Sequence, residues 1–105
     1  MIEKKYDMDN KKKEVIMAVD DLSRALNKYH GNSETAKYVS ETLIELKKDE
    51  SVAFLGTFQF FITKASILKR SEGVVLNNQE SNLWHRVTSF RDLGYKLFSG
   101  MGLYW

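Results

Sequence analysis

Val52-Ala-Phe-Leu-Gly-Thr-Phe-Gln-Phe-Phe-Ile-Thr-Lys-Ala-Ser-Ile-Leu-Lys-Arg70 is the stretch whose reading decides the fold. Its centre, Phe58-Gln-Phe-Phe-Ile62, has the aromatic and β-branched content of a buried strand, and apolarity alone does not separate a strand from a buried helix. Length does. Val52, Phe54, Leu55, Phe58, Phe61, Ile62, Ala65 and Leu68 form one wide stripe at three–four spacing that continues well past Ile62. The segment is therefore predicted as a helix over 52–70, with Phe60 and Ile67 outside the stripe. A helix this apolar must contact two neighbours at once.

Upstream, Lys47-Lys-Asp-Glu-Ser51 is a polar break, with Ser51 a candidate cap. Before it, Ala36, Val39, Leu43 and Leu46 repeat at the same spacing, with Tyr38 and Ile44 at the edges. This predicts a helix over 33–48, capped by Asn32 or Ser33 and carrying Lys47 and Lys48 where cations suit the helix dipole. Earlier still, Val15, Val19, Leu22, Leu26 and Tyr29 predict a helix over 10–30. Gly31 is expected as its left-handed terminator, and Met1–Asp9 is expected to fray.

Downstream, Ser71–Leu76 reads as a loop whose Val74, Val75 and Leu76 tuck under the bundle. Asn77-Asn-Gln-Glu80 has the spacing of a capping box. A fourth helix over 78–98 follows, with Leu83, Val87, Phe90, Leu93 and Leu97 inward and Trp84 flanking. Gly94 inside it implies a close backbone approach or an early end. Ser99–Trp105 is a short glycine-interrupted tail.

Four helices joined by short loops predict an all-α, single-domain antiparallel four-helix bundle over residues 1–105, with a short C-terminal tail. The composition agrees. The chain has 105 residues, no proline and no cysteine. Such a length buries roughly 65% of the unfolded surface, enough for a core without staples. Without cysteine there is no disulfide, cysteine-ligated metal or thiol nucleophile. No apolar run reaches the roughly 18 residues that suggest a membrane span. The N-terminus lacks the apolar region of a secretory signal, so the cytoplasm is the expected compartment.

Catalytic constellations are missing. His30 and His85 have no carboxylate one helical turn away, so neither is expected to be catalytic or a metal ligand. Asp20 and Asp21 are adjacent and diverge around the helix. Glu41 and Glu45 share a face but are bracketed by Lys37 and Lys48, which reads as a solvated charged face. No phosphate-binding loop, dinucleotide fingerprint or nucleophile elbow occurs, and Gly100-Met-Gly102 has no following helix to cradle a phosphate. No enzyme activity and no cofactor or metal are expected.

Net charge is only +2, too balanced for a dedicated nucleic-acid binder. Lys11-Lys12-Lys13 is interleaved with Glu3, Asp7, Asp9 and Glu14, which cancels most of its field. Residues 53–105, by contrast, carry six basic groups against Glu72, Glu80 and Asp92. There Arg86, Arg91 and Lys96 lie among Trp84, Tyr95, Phe98, Tyr104 and Trp105, and aromatics with arginine are the types enriched at partner-binding surfaces. Trp84, Arg86, Arg91, Tyr95, Lys96, Tyr104 and Trp105 are the candidate partner-binding residues. Tyr104 and Trp105 can equally fold back to close one end of the bundle.

Ala65-Ser-Ile-Leu-Lys-Arg-Ser-Glu-Gly-Val-Val-Leu-Asn-Asn-Gln-Glu80 resembles the immunity proteins of pediocin-like (class IIa) bacteriocins, the enterocin A immunity family. The shared pattern is a basic helix end, a Gly-Val-x-Leu loop and a polar helix start. The chain length, the lysine-rich N-terminus, the Ala36–Leu46 stripe running into Lys47-Lys48, and Leu93-Gly94-Tyr95 are also similar to that family. The tail Gly100–Trp105 departs from the family's pattern. The resemblance implies a cytoplasmic four-helix bundle, with a fraction at the inner membrane face, that protects a producing cell from its bacteriocin. It further implies action at the mannose phosphotransferase permease once bacteriocin is bound, with bacteriocin choice carried by the C-terminal half. The alternative from the residues alone is a small helical adaptor, or a nucleic-acid-binding regulator using Lys11–Lys13 and Arg86/Arg91.

Overall fold

The computed structural model describes the backbone of residues 2–49 and 51–91 and the side chains of 11–49 and 53–91. Its elements are four helices: α1 (Ile2–His30), α2 (Glu34–Lys48), α3 (Ser51–Glu72) and α4 (Asn78–Thr88). The decisive stretch is helical throughout. No strand occurs among the described residues.

Short loops favour antiparallel neighbours, and contacts across each seam run antiparallel. The Lys12 ammonium, in the N-terminal half of α1, donates to the Asp49 carbonyl at the end of α2 at 2.7 Å. Glu72, ending α3, reaches the start of α2, and Glu80, starting α4, reaches His30 at the end of α1. The body measures 44 × 23 × 23 Å, its long axis matching the roughly 44 Å of a 29-residue helix at about 1.5 Å per residue.

The predicted stripes form the core. Val15, Val19, Leu22 and Leu26 of α1 meet Ala36, Val39, Leu43 and Leu46 of α2, and Phe54, Leu55, Phe58, Phe61, Ile62 and Ala65 of α3 fill the centre. Phe58 is fully buried, with ring centroids 6.5 Å from Phe54 and 6.2 Å from Phe61. Burying a side chain of this size contributes about 1.5–3 kcal/mol. Helix α3 touches α4 through Trp84, which lines a narrow crevice with Leu22, Phe61, Ile62, Ala65 and Val87.

Helix ends depart from expectation in four places. First, α1 begins at Ile2 rather than residue 10, and the turns expected to fray are helical. Nothing between Ile2 and His30 is glycine or proline, and the straight-chain charged residues there lose little rotamer freedom in a helix. Second, Gly31 is not left-handed. A Cβ there would lie 2.7 Å from the Asn27 carbonyl oxygen, so the glycine answers close approach rather than positive φ. The left-handed residue is Gly73 (φ 74°), which ends α3 after Glu72 rather than Arg70.

Third, the loop after Gly73 tucks in only partly. Leu76 packs against the core, whereas Val75 is 81% exposed. Fourth, α4 ends at Thr88 rather than residue 98. The Thr88 and Ser89 hydroxyls donate to the carbonyls of His85 and Arg86, at 3.2 and 2.6 Å, while Phe90 and Arg91 make tight i→i+3 backbone bonds. Short hydroxyl side chains that capture local carbonyls compete with helix continuation. Leu93, Gly94 and Leu97, expected in α4, lie outside the described residues.

Candidate functional site

Helix α4 starts where the sequence places it. Asn77 Oδ1 accepts from the Glu80 N–H at 2.8 Å and Glu80 Oε1 accepts from the Asn77 N–H at 2.9 Å, completing the capping box. The other carboxylate oxygen of Glu80 accepts from His30 Nδ1 at 2.6 Å. Glu80 is wholly buried. A buried carboxylate persists only when its lone pairs are satisfied, and here a helix N-terminus and an imidazole satisfy them.

A second joint lies beside the first. Glu72 Oε2 accepts from the Glu34 N–H at 2.6 Å, and its Oε1 accepts from the Thr35 N–H and hydroxyl at 2.9 and 2.7 Å. Ser33 supplies the ordinary cap to the Ala36 N–H. The backbone N–H of Glu34 above all, and then the Thr35 hydroxyl and N–H, hold the Glu72 carboxyl below the usual carboxylate range. Tyr29 donates to Gln79 at 3.0 Å at the same end. Two hydroxyls at this end are engaged as well: Ser33 donates to the His30 carbonyl, and Thr35 donates to Glu72. This end of the bundle is a joint between helices.

The predicted partner-binding residues separate. Trp84 is half-buried against α3, with the Lys69 ammonium 5.5 Å from the ring centroid, so it packs rather than projects. Arg86 is exposed and reaches the other way, donating to Asp21 of α1 at 3.2 Å. The exposed Arg91 lies beyond the helix end, where its carbonyl accepts from Gln59 of α3 at 2.5 Å. Arg86 and Arg91 are thus surface cations on α4 and its exit, and Trp84 is their anchor to the core. Tyr95, Lys96, Tyr104 and Trp105 lie outside the described residues.

Elsewhere, Lys12 is drawn inward from the basic run, bonding Asp49 and standing 5.6 Å from the Phe54 ring centroid, while Lys11 pairs with Glu14. Among the described residues no group of three or more His, Asp or Glu side chains is placed to hold a metal ion. No helix described is long and apolar enough to cross a membrane.

Sequence reasoning missed two features. The His30–Glu80 pair joins residues fifty positions apart, and only the capping-box half of it is local enough to be read. The other is an open groove along the α2–α3 seam, lined by Tyr38, Glu41, Thr42, Glu45, Thr57 and Phe60.

No protein-family model matches the chain, and no curated protein or solved structure matches it either. The resemblance noted above thus rests on the residues quoted for it.

Proposed function

We propose that the chain is a non-enzymatic immunity protein that protects a bacterial cell against a pediocin-like bacteriocin. It acts from the cytoplasm, at the inner membrane face, on the mannose phosphotransferase permease engaged by bacteriocin. The observation that carries this reading is the Ala65–Glu80 segment and the physical role of each part of its pattern. Lys69 and Arg70 occupy the last turns of α3, Gly73 takes the left-handed turn, Leu76 packs inward and Asn77–Glu80 closes the capping box. A four-helix, all-α chain is also what the resemblance requires.

Recognition is assigned to Arg86 and Arg91 on the outer surface of α4 and its exit, together with Tyr95, Lys96, Tyr104 and Trp105 of the sequence that follows, which lie outside the described residues. The core stripes of the three longer helices are accounted for by packing, whereas Arg86 and Arg91 are exposed and not needed to fill the core. Expression in a bacteriocin-sensitive strain tests the proposal. Survival against at least one pediocin-like peptide is expected. Unchanged sensitivity across a broad panel, with the protein folded and abundant in the cells, would sink it.

A further inference from the structure

The α2–α3 groove carries features that neither the core nor the proposed recognition surface uses. It is an open channel of about 460 Å³, and no residue of α4 lines it. On its α3 wall Phe60 is 64% exposed, in a helix whose other phenylalanines are all buried. On its α2 wall Glu41 and Glu45 stand one turn apart, both exposed. Like charges at this spacing weaken a helix. The neighbouring Lys37 is turned to Glu34 at 3.6 Å, and neither Glu41 nor Glu45 makes an ion pair among the described residues.

The aromatic wall already accepts a cation. The Lys64 ammonium stands 5.2 Å from the Tyr38 ring centroid and 5.8 Å from that of Phe60. With Lys64 already over these rings, what the groove offers a partner is the exposed apolar surface of Phe60 and the carboxylate rim of Glu41 and Glu45, along two adjacent helices. That is the complement of a helix with one apolar face flanked by lysine or arginine.

We propose that this groove docks a basic amphipathic helix belonging to a partner protein. Its apolar residues lie against Phe60 and Thr57, and its cations meet Glu41 and Glu45. Charge selects this occupant over the others. An anionic lipid surface or a nucleic acid would be repelled by the two carboxylates, and two-fold self-association through the groove would set Glu41 and Glu45 of both copies against each other. The proposal does not depend on the immunity reading.

The test is titration of a fluorescent amphipathic Lys/Leu helix of about 15 residues with the full chain, followed by anisotropy. Saturable one-to-one binding is expected, weakened by salt. Phe60→Ser, or Glu41→Gln with Glu45→Gln, should each weaken it by about tenfold or more, while Arg86→Ala leaves it unchanged. Sensitivity of the binding to both groove variants, with none to Arg86→Ala, is what assigns it to this site. These positions are exposed, and unchanged melting curves confirm that the variants remain folded. Amide shifts in residues 38–45 and 57–64 should map the contact. The proposal is overturned by an absence of saturable binding up to millimolar chain, or by binding that ignores both variants. Phe60-dependent binding to anionic vesicles or Phe60-dependent dimerisation, with no peptide binding, overturns it equally.

Discussion

Glu72 and Glu80 at one end of the bundle, and Glu41 and Glu45 along the α2–α3 groove, are the same residue type put to opposite uses. The first two are committed. Between them they accept hydrogen bonds from Glu34, Thr35, Asn77 and His30, and so fix where α2 and α4 begin. The second two hold nothing in place among the described residues and face solvent across an exposed phenylalanine. The difference teaches that charge in this protein divides into groups that define the fold and groups left over for contact. Removing the first kind should destabilise the fold measurably, and removing the second should leave its stability nearly unchanged.

The largest effect is expected from Glu80→Ala. It strips the carboxylate from a fully buried position and orphans both the Asn77 N–H and the His30 imidazole. Breaking a buried pair costs about 3 kcal/mol, and thermal or urea unfolding should show it as a large drop. A loss under about 0.5 kcal/mol would mean that the joint does not hold α4.

Gly73→Ala should cost less. A side chain at φ 74° is strained by about 1–2 kcal/mol, although nothing lies within 4 Å of the added Cβ. Urea midpoints measure this directly, and an unchanged midpoint would show that the α3–α4 turn has another conformation available.

Glu72 sharpens the contrast through pH. Its folded pKa is lowered, so its stabilising contribution is fully present above the pKa of an unfolded glutamate. The contribution is lost as pH falls from there through Glu72's own lower value. The melting-temperature gap between wild type and Glu72→Gln should therefore be widest near neutral pH and close under acid. A gap that stayed constant into acid would remove the capping carboxylate from the explanation.

The smallest effect is expected from Glu41→Gln with Glu45→Gln. Exposed carboxylates without ion-pair partners should move stability by no more than about 0.5 kcal/mol in either direction. A substantial loss in a melting curve would erase the distinction between committed and uncommitted charge.

Much of the fold was legible because its signals are local. Three–four spacing placed every core residue of α2 named in advance, Ser33 and Asn77 were readable as caps, and the long continuation to Ala65 and Leu68 settled helix over strand for Phe58–Ile62. Signals that depend on tertiary placement were not legible. Glu72 caps a helix nearly forty residues upstream, and His30 meets Glu80 only because α1 and α4 are antiparallel. The early end of α4 was not legible: Thr63 and Ser66 make similar hydroxyl-to-carbonyl bonds inside α3 without ending it, and apolar periodicity through Leu93 and Leu97 pointed to a longer helix. Composition also grouped Trp84 with Arg86, although the two point to opposite neighbours, α3 and α1.

The proposed function stands most directly on one paired measurement: survival of a bacteriocin-sensitive strain, set against the melting temperature of each expressed variant. Arg86→Ala removes only a surface ion pair, worth about 0–1 kcal/mol, and Arg91 lends α3 only its backbone carbonyl. The double variant Arg86→Ala/Arg91→Ala should therefore melt close to wild type yet lose protection, while Glu80→Ala should lose both together. Protection that simply follows melting temperature across these variants, with no folded but inactive protein among them, would contradict recognition through the α4 surface.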